Sequence, residues 1–271
     1  MARVYRTDPG GFMIKLVLTD LDGTLIPDAQ EGVSPNTEAA IRELKAAGIA
    51  FGPCTGRPVN MLPDLFHNQL DLYATGVYEN GTLGFIDGVE AFRHTYPGKA
   101  LNRLGHFVAE QGFSELTLFD PLHGPSERYG KERLEELDQL DLSAYSKANL
   151  HFDSLEELPG IAEVLRARFP EFDFVMPVTD QALLDILPHG ISKANGALEL
   201  AQRMGIAPEE VLVFGDSDND FEFLSAFPHS VAMANGSEKV KAAARYTIGQ
   251  SKDYAVAAAL RELAACARKE S

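Results

Sequence analysis

Two carboxylates spaced two apart, Asp20 and Asp22, stand just past the largely apolar run Ile14-Lys15-Leu16-Val17-Leu18. The run reads as a buried parallel strand. In open α/β sheets, ligand crevices lie outside the carboxyl ends of the strands. Both acids are therefore delivered to a place where chemistry is usually done. On an extended backbone, residues two apart point the same way, and Gly23 lets the chain turn sharply after them. Such a pair could hold a metal ion, or divide into a nucleophile and a proton donor.

Three further polar clusters sit at strand ends or helix starts. Cys54-Thr55-Gly56-Arg57 follows the apolar run Ile49-Ala50-Phe51. Lys193 opens a helical pattern after a strand expected at residues 183–187. Gly215-Asp216-Ser217-Asp218-Asn219-Asp220 follows Val211-Leu212-Val213-Phe214. With these four motifs in this order, the chain resembles the haloacid dehalogenase-like (HAD) phosphatases. More closely it resembles the Cof-type group, subfamily IIB, with a C2-type cap between the second and third motifs. The resemblance spans residues 14–263.

The resemblance implies a role for each motif. Asp20 would be the nucleophile, since a carboxylate can attack phosphorus to give an aspartyl-phosphate. Asp22 would protonate the leaving oxygen and then activate water; family precedent also gives it a metal contact through its backbone carbonyl. A second Asp at this place argues against halide displacement. Thr55 and Gly56 would bind phosphoryl oxygens by hydroxyl and backbone N–H. Lys193 would neutralise Asp20 and the transferring group, although Lys193-Ala194-Asn195-Gly196 departs from the Lys-Gly commonest in the group. Hard oxygen ligands favour Mg²⁺, with Asp20, Asp22 and Asp216 as metal residues and Asp220 second in line or water-linked. Asn219 would orient Lys193 or touch the phosphoryl group. Ala234-Asn235-Gly236 resembles the family's loop beside the metal site. Cys54 reads as a small buried residue, Arg57 as an ion-pair partner or a second phosphate contact, and His189 as a linker residue.

Composition fits this reading. The chain has 271 residues, 45% of them apolar, and its 24 basic and 40 acidic residues give a net charge of −16. Such a field repels nucleic acid and anionic membranes, so neither is expected as a partner. An anionic phosphate substrate then needs local cations. With two distant cysteines, Cys54 and Cys266, a reducing, cytoplasmic setting is expected. Residues 1–12 carry no apolar signal segment and read as a short disordered extension. No segment reaches the roughly 18 apolar residues of a membrane span.

The expected fold class is α/β: a doubly wound, Rossmann-like HAD core with an inserted α+β cap. The core is expected at 13–82 and 189–271 and the cap at 83–188. Ser34-Pro35 marks a helix start, and Asn80-Gly81 marks a hairpin. A Pro- and Gly-rich loop is expected at 120–130 and an acidic helix at 131–140. In the resembling enzymes the cap selects the leaving group, which makes 120–128 a candidate selectivity loop.

The expected activity is Mg²⁺-dependent hydrolysis of small phosphomonoesters, sugar phosphates above all. A phosphosugar mutase of the same fold, or a non-catalytic phosphosugar-binding regulator, would carry similar motifs. The oligomeric state and the physiological substrate are not written in the motifs.

Overall fold

In chain order, the strands and helices begin with β1 (Leu16–Thr19), α1 (Pro35–Ala46), β2 (Ala50–Pro53), α2 (Leu62–Leu65), β3 (Gly76–Tyr78), β4 (Leu83–Ile86) and β5 (Val89–Arg93). There follow α3 (Gly98–Gln111), β6 (Glu115–Phe119), β7 (Ser126–Tyr129), α4 (Leu134–Leu137), β8 (Ala148–His151), α5 (Leu158–Arg168), β9 (Phe172–Val175) and β10 (Leu183–Pro188). The chain closes with α6 (Lys193–Arg203), β11 (Val211–Gly215), α7 (Phe221–Ala226), β12 (His229–Met233), α8 (Glu238–Ala243), β13 (Tyr246–Ile248) and α9 (Ala255–Glu270). This computed structural model describes residues 13–28, 30–120, 125–176 and 181–270. The expected extension at 1–12, and residues 121–124 of the candidate selectivity loop, lie outside the described residues.

The chain forms two compact units, with junctions between Ala91 and Phe92 and between Ser192 and Lys193; residues 58–60 group with the second unit. The first holds a parallel five-stranded sheet in the order β13-β12-β11-β1-β2. Leu16, Val17 and Leu18 of β1 are fully buried, as a strand in the middle of a parallel sheet requires. Ser34 caps α1, its hydroxyl accepting the Thr37 N–H at 3.1 Å. Gly48, at φ +83°, lets the chain leave that helix. Buried Val256, Ala257, Leu260, Leu263, Ala264 and Ala267 give α9 one apolar stripe, and α9 packs on α1. A second group of helices, α6, α7 and α8, packs in sequence.

The second unit holds a wholly antiparallel sheet, β7-β6-β8-β10-β9. Strand alternation puts Leu116, Leu118, Ala148, Leu150, Leu184 and Ile186 on one face, in a core with Leu104 and Val108 of α3 and Leu165 of α5. No helix among the described residues is long and apolar enough to cross a membrane.

Several elements differ from the sequence expectation. Residues 83–91 group with the first unit, because β4 pairs with β3 from Tyr78↔Leu83 onward and β5 pairs with β4. The Asn80-Gly81 turn does make that hairpin, with Glu79, Asn80 and Gly81 at φ +56°, +57° and +104°. The loop expected at 120–130 contains β7, whose Ser126–Tyr129 ladder to β6 overrides the local Gly and Pro signals. The acidic helix shrinks to Leu134–Leu137 after a short 3₁₀ turn, since it buries little beyond Leu137.

Candidate active site

β1 lies between β2 and β11, so the ends of all three strands meet at one edge. Thr19 stands opposite Phe214 on one side and Pro53 on the other. The Asp20 N–H donates to Phe214 O at 2.9 Å, and the Cys54 N–H donates to Thr19 O at 2.7 Å. Asp20 and Asp216 thus leave neighbouring strands one residue past their ends. Thr55 leaves the other neighbour, its N–H donating to Val77 O at 2.9 Å.

Lys193, the first residue of α6, ties this edge together. Its Nζ donates to Asp20 Oδ1 at 2.6 Å and to Asp220 Oδ1 at 2.7 Å, and all three side chains are buried. Asp220 Oδ2 accepts the backbone N–H groups of Asp216 and Ser217, both at 3.1 Å. Asp220 therefore holds the lysine and shapes the loop at once. Of the two roles expected for Asn219, orienting Lys193 falls to Asp220, while Asn219 accepts from the Ser217 hydroxyl. One step along the short 3₁₀ turn at Asp218–Asp220 separates the two side chains. Gly196, three residues after Lys193, has its own physical reason: a Cβ there would lie 2.7 Å from Gly81 Cα. The start of α6 seats against the hairpin turn and admits no larger residue.

Asp22 has a different partner from Asp20. The backbone after Asp20 is a turn, not an extended strand, with Ile26 N donating to Leu21 O at 2.8 Å. The Asp22 carboxylate is half exposed and takes two bonds from Arg57, from Nε at 2.8 Å and Nη2 at 2.7 Å. Arg57 is thus an ion-pair partner, and that bond raises its own pKa. Gly23, at φ +76°, completes the turn; a Cβ there would collide with Asp216 Oδ2.

Thr55 is buried, and its hydroxyl accepts the Arg57 N–H at 3.2 Å. Gly56 lies against Asn80, whose Oδ1 would be 2.7 Å from an added Cβ. Cys54 is fully buried and burial drives its thiol pKa up, away from reactivity. His189 bonds Asp173 at 3.0 Å, within the second unit.

Thr24, to which the sequence assigned no role, and Asn235, in the loop expected beside the metal site, both position this edge. The Thr24 hydroxyl donates to Asp216 Oδ1 at 2.7 Å. Asn235 donates to Gly23 O at 2.8 Å and accepts from Ser251 N at 2.9 Å, fixing the loop that carries the first motif. Thr24 lies inside the Asp20–Leu25 stretch, and that proximity was its only sequence signal.

The electrostatics are unbalanced. Asp20, Asp216 and Asp220 each bring an oxygen within 4.8 Å of the others, and the Lys193 ammonium meets two of them. Burial, with the neighbouring carboxylates, pushes Asp20 well above the usual carboxylate range despite Lys193. Burial likewise lifts Asp216 to about 6, against the Thr24 hydrogen bond. Lys193 pays for desolvation but is held charged by Asp20 and Asp220. Excess buried negative charge on hard oxygen donors is the setting a divalent cation fits.

A family model described as haloacid dehalogenase-like hydrolase matches residues 17–260. The chain belongs to that family. It is 31% identical, over 88% of its length, to the chloroplastic endoribonuclease YBEY of Arabidopsis thaliana, but spans only 44% of that protein. It is 28% identical to the 5-amino-6-(5-phospho-D-ribitylamino)uracil phosphatase YbjI of Escherichia coli, over 88% of this chain and 92% of the relative. Among solved structures, the HAD subclass IIB sugar phosphatase BT4131 superposes with a TM-score of 0.72 at 21% identity, covering 91% of this chain and 98% of that one. The α/β fold with a parallel core matches that of the solved structure, as the four motifs imply.

Proposed function

We propose that the chain is a Mg²⁺-dependent phosphomonoesterase that works through an aspartyl-phosphate at Asp20, on small phosphorylated sugars or polyols. The observation that carries this reading is the buried lysine shared by Asp20 and Asp220 beside Asp216, at the ends of adjacent strands. A relative named for a phosphoribitylamino substrate supports the substrate class.

Asp20 attacks phosphorus as the bond to the leaving oxygen breaks. Lys193 lies on that carboxylate and offsets the charge of the incoming phosphoryl group. The Thr55 hydroxyl and the Gly56 N–H hold phosphoryl oxygens, with Asn219 as a further donor. Asp22 protonates the leaving oxygen, then takes a proton from the water that attacks the aspartyl-phosphate. Its pairing with Arg57 does not forbid this, because exposed pairs contribute only about 0–1 kcal/mol and open readily.

Asp20 and Asp216, with the Asp22 backbone carbonyl, would hold Mg²⁺. Asp220 would touch it only through water, since both its oxygens already accept hydrogen bonds. When bound, the ion neutralises negative charge on the carboxylates and phosphoryl oxygens.

The test is phosphate release from a panel of sugar and polyol phosphates, with Mg²⁺ or EDTA, using wild type and Asp20→Asn. Release that requires both Mg²⁺ and Asp20 is expected. Equal release in EDTA, or by Asp20→Asn, would refute the reading.

A further inference from the structure

Tyr254 stands at the start of α9 in a conformation that suits neither its type nor its place. Its backbone is left-handed, at φ +54° and ψ +39°. His67, Asn68, Asn80 and Asp87 also have positive φ, but those types are enriched in that region, whereas a bulky side chain there is an outlier. Tyr254 O accepts the Ala258 N–H at 3.1 Å, so Tyr254 is also the residue that caps α9. A helix cap is normally extended and carries Ser, Thr, Asp or Asn, whose short side chain accepts a first-turn N–H. Glycine would meet the left-handed backbone freely, and asparagine would tolerate it while offering a capping side chain. The tyrosine serves neither need.

Strain that the local structure does not require points to a task for the side chain. The Tyr254 hydroxyl accepts the Gln30 side-chain amide at 2.6 Å, across 224 residues of chain. Gln30 ends the turn that opens at Pro27, its N–H donating to Pro27 O at 2.9 Å. The Tyr254 N–H in turn donates to Ser251 O at 2.9 Å, at the head of the short 3₁₀ turn Ser251–Asp253. That same turn holds the Asn235 side chain through Ser251 N, and Asn235 holds Gly23 O. Gly23 and Gln30 are therefore both fastened to one corner of the chain. Between them lies Thr24, whose hydroxyl holds the Asp216 carboxylate.

We propose that Tyr254 is a positioning residue for the divalent cation. Through Gln30 it fixes the loop after the first motif, and through that loop Thr24 and the Asp216 carboxylate. The inference rests on the reading of Asp216 as a metal ligand and adds to it a residue more than thirty positions further along the chain. The strained backbone is kept because it delivers the phenol to Gln30.

The test uses Mn²⁺, which takes the same oxygen donors as Mg²⁺ and whose free ion is counted by electron paramagnetic resonance. Melting temperatures are taken in EDTA. Tyr254→Phe and Gln30→Leu should each weaken Mn²⁺ binding about three- to tenfold, the net contribution of one hydrogen bond. The double variant should lose no more than either single one, because all three remove the same bond. Tyr254→Gly should lose as much affinity yet melt no lower than wild type, since it also releases the strain. Unchanged affinity in Tyr254→Phe and Gln30→Leu, or losses that add in the double variant, overturn the proposal. So does a Tyr254→Gly variant that melts lower, which would make the tyrosine a structural residue. Wild type that binds no Mn²⁺ would refute the metal reading itself, and this inference with it.

Discussion

Lys193 in the first unit and Lys147 in the second are both buried, and each meets a carboxylate at 2.6 Å. Their surroundings differ in charge. Lys193 is shared by Asp20 and Asp220, with Asp216 close by. Lys147 pairs with Asp185, beside the neutral Thr117 and Asn149. Burial alone therefore does not mark a catalytic lysine. The first cluster carries a surplus of negative charge, which raises the pKa of Asp20 and Asp216 and suits a cation and a phosphoryl group. The second holds one lysine–carboxylate pair, and among the described residues Thr117 Oγ1 and Asn149 Oδ1 beside it have no hydrogen-bond partner.

The largest expected effect separates the two lysines directly. Lys193→Met and Lys147→Met should each destabilise the protein by about 3–5 kcal/mol, because each leaves buried charge without its counter-ion. Mg²⁺ should return part of the loss only in Lys193→Met, where several carboxylates can share the ion. Urea unfolding with and without Mg²⁺ reads this, and equal recovery in both variants would erase the distinction.

The next two effects stay within the first cluster. Asp216→Asn should raise the half-saturating Mg²⁺ concentration for phosphate release by roughly a hundredfold, as expected when a charged ligand is lost. Thr24→Val keeps the ligand but removes its hydrogen bond, and should cost roughly tenfold, the low end for residues that orient a metal ligand. Titrations in which Thr24→Val costs more than Asp216→Asn would reverse these roles.

The smallest effect tests the exposed pair. Arg57→Met should change stability by less than about 1 kcal/mol and turnover by less than about tenfold. A severe loss of turnover would make Arg57 a phosphate contact and not a partner for Asp22.

The sequence was informative where a side chain's place follows from the strand that carries it. Apolar runs ending at Asp20 and Asp216, and a helix opening at Lys193, already locate the cluster. It was silent where direction depends on a turn. Gly23 signals a turn after the two acids, but nothing local says that Asp22 meets an arginine 35 residues away. Nor does a run of Asp, Asn and Asp say which member holds Lys193; the 3₁₀ turn decides for Asp220. β7 was hidden because its pairing with β6 supplies what its own residues do not. Thr117 and Asn149 look like ordinary alternating strand residues, and only burial without a partner distinguishes them.

The most direct test of the central claim is to trap the phosphoryl group on the protein. Wild type would be mixed with a radiolabelled phosphomonoester that it turns over, then acid-quenched within one turnover in Mg²⁺ or EDTA. The account predicts a hydroxylamine-labile label that requires Mg²⁺, maps to Asp20 and is absent in Asp20→Asn. A label on another residue, or full turnover by Asp20→Asn, would contradict it.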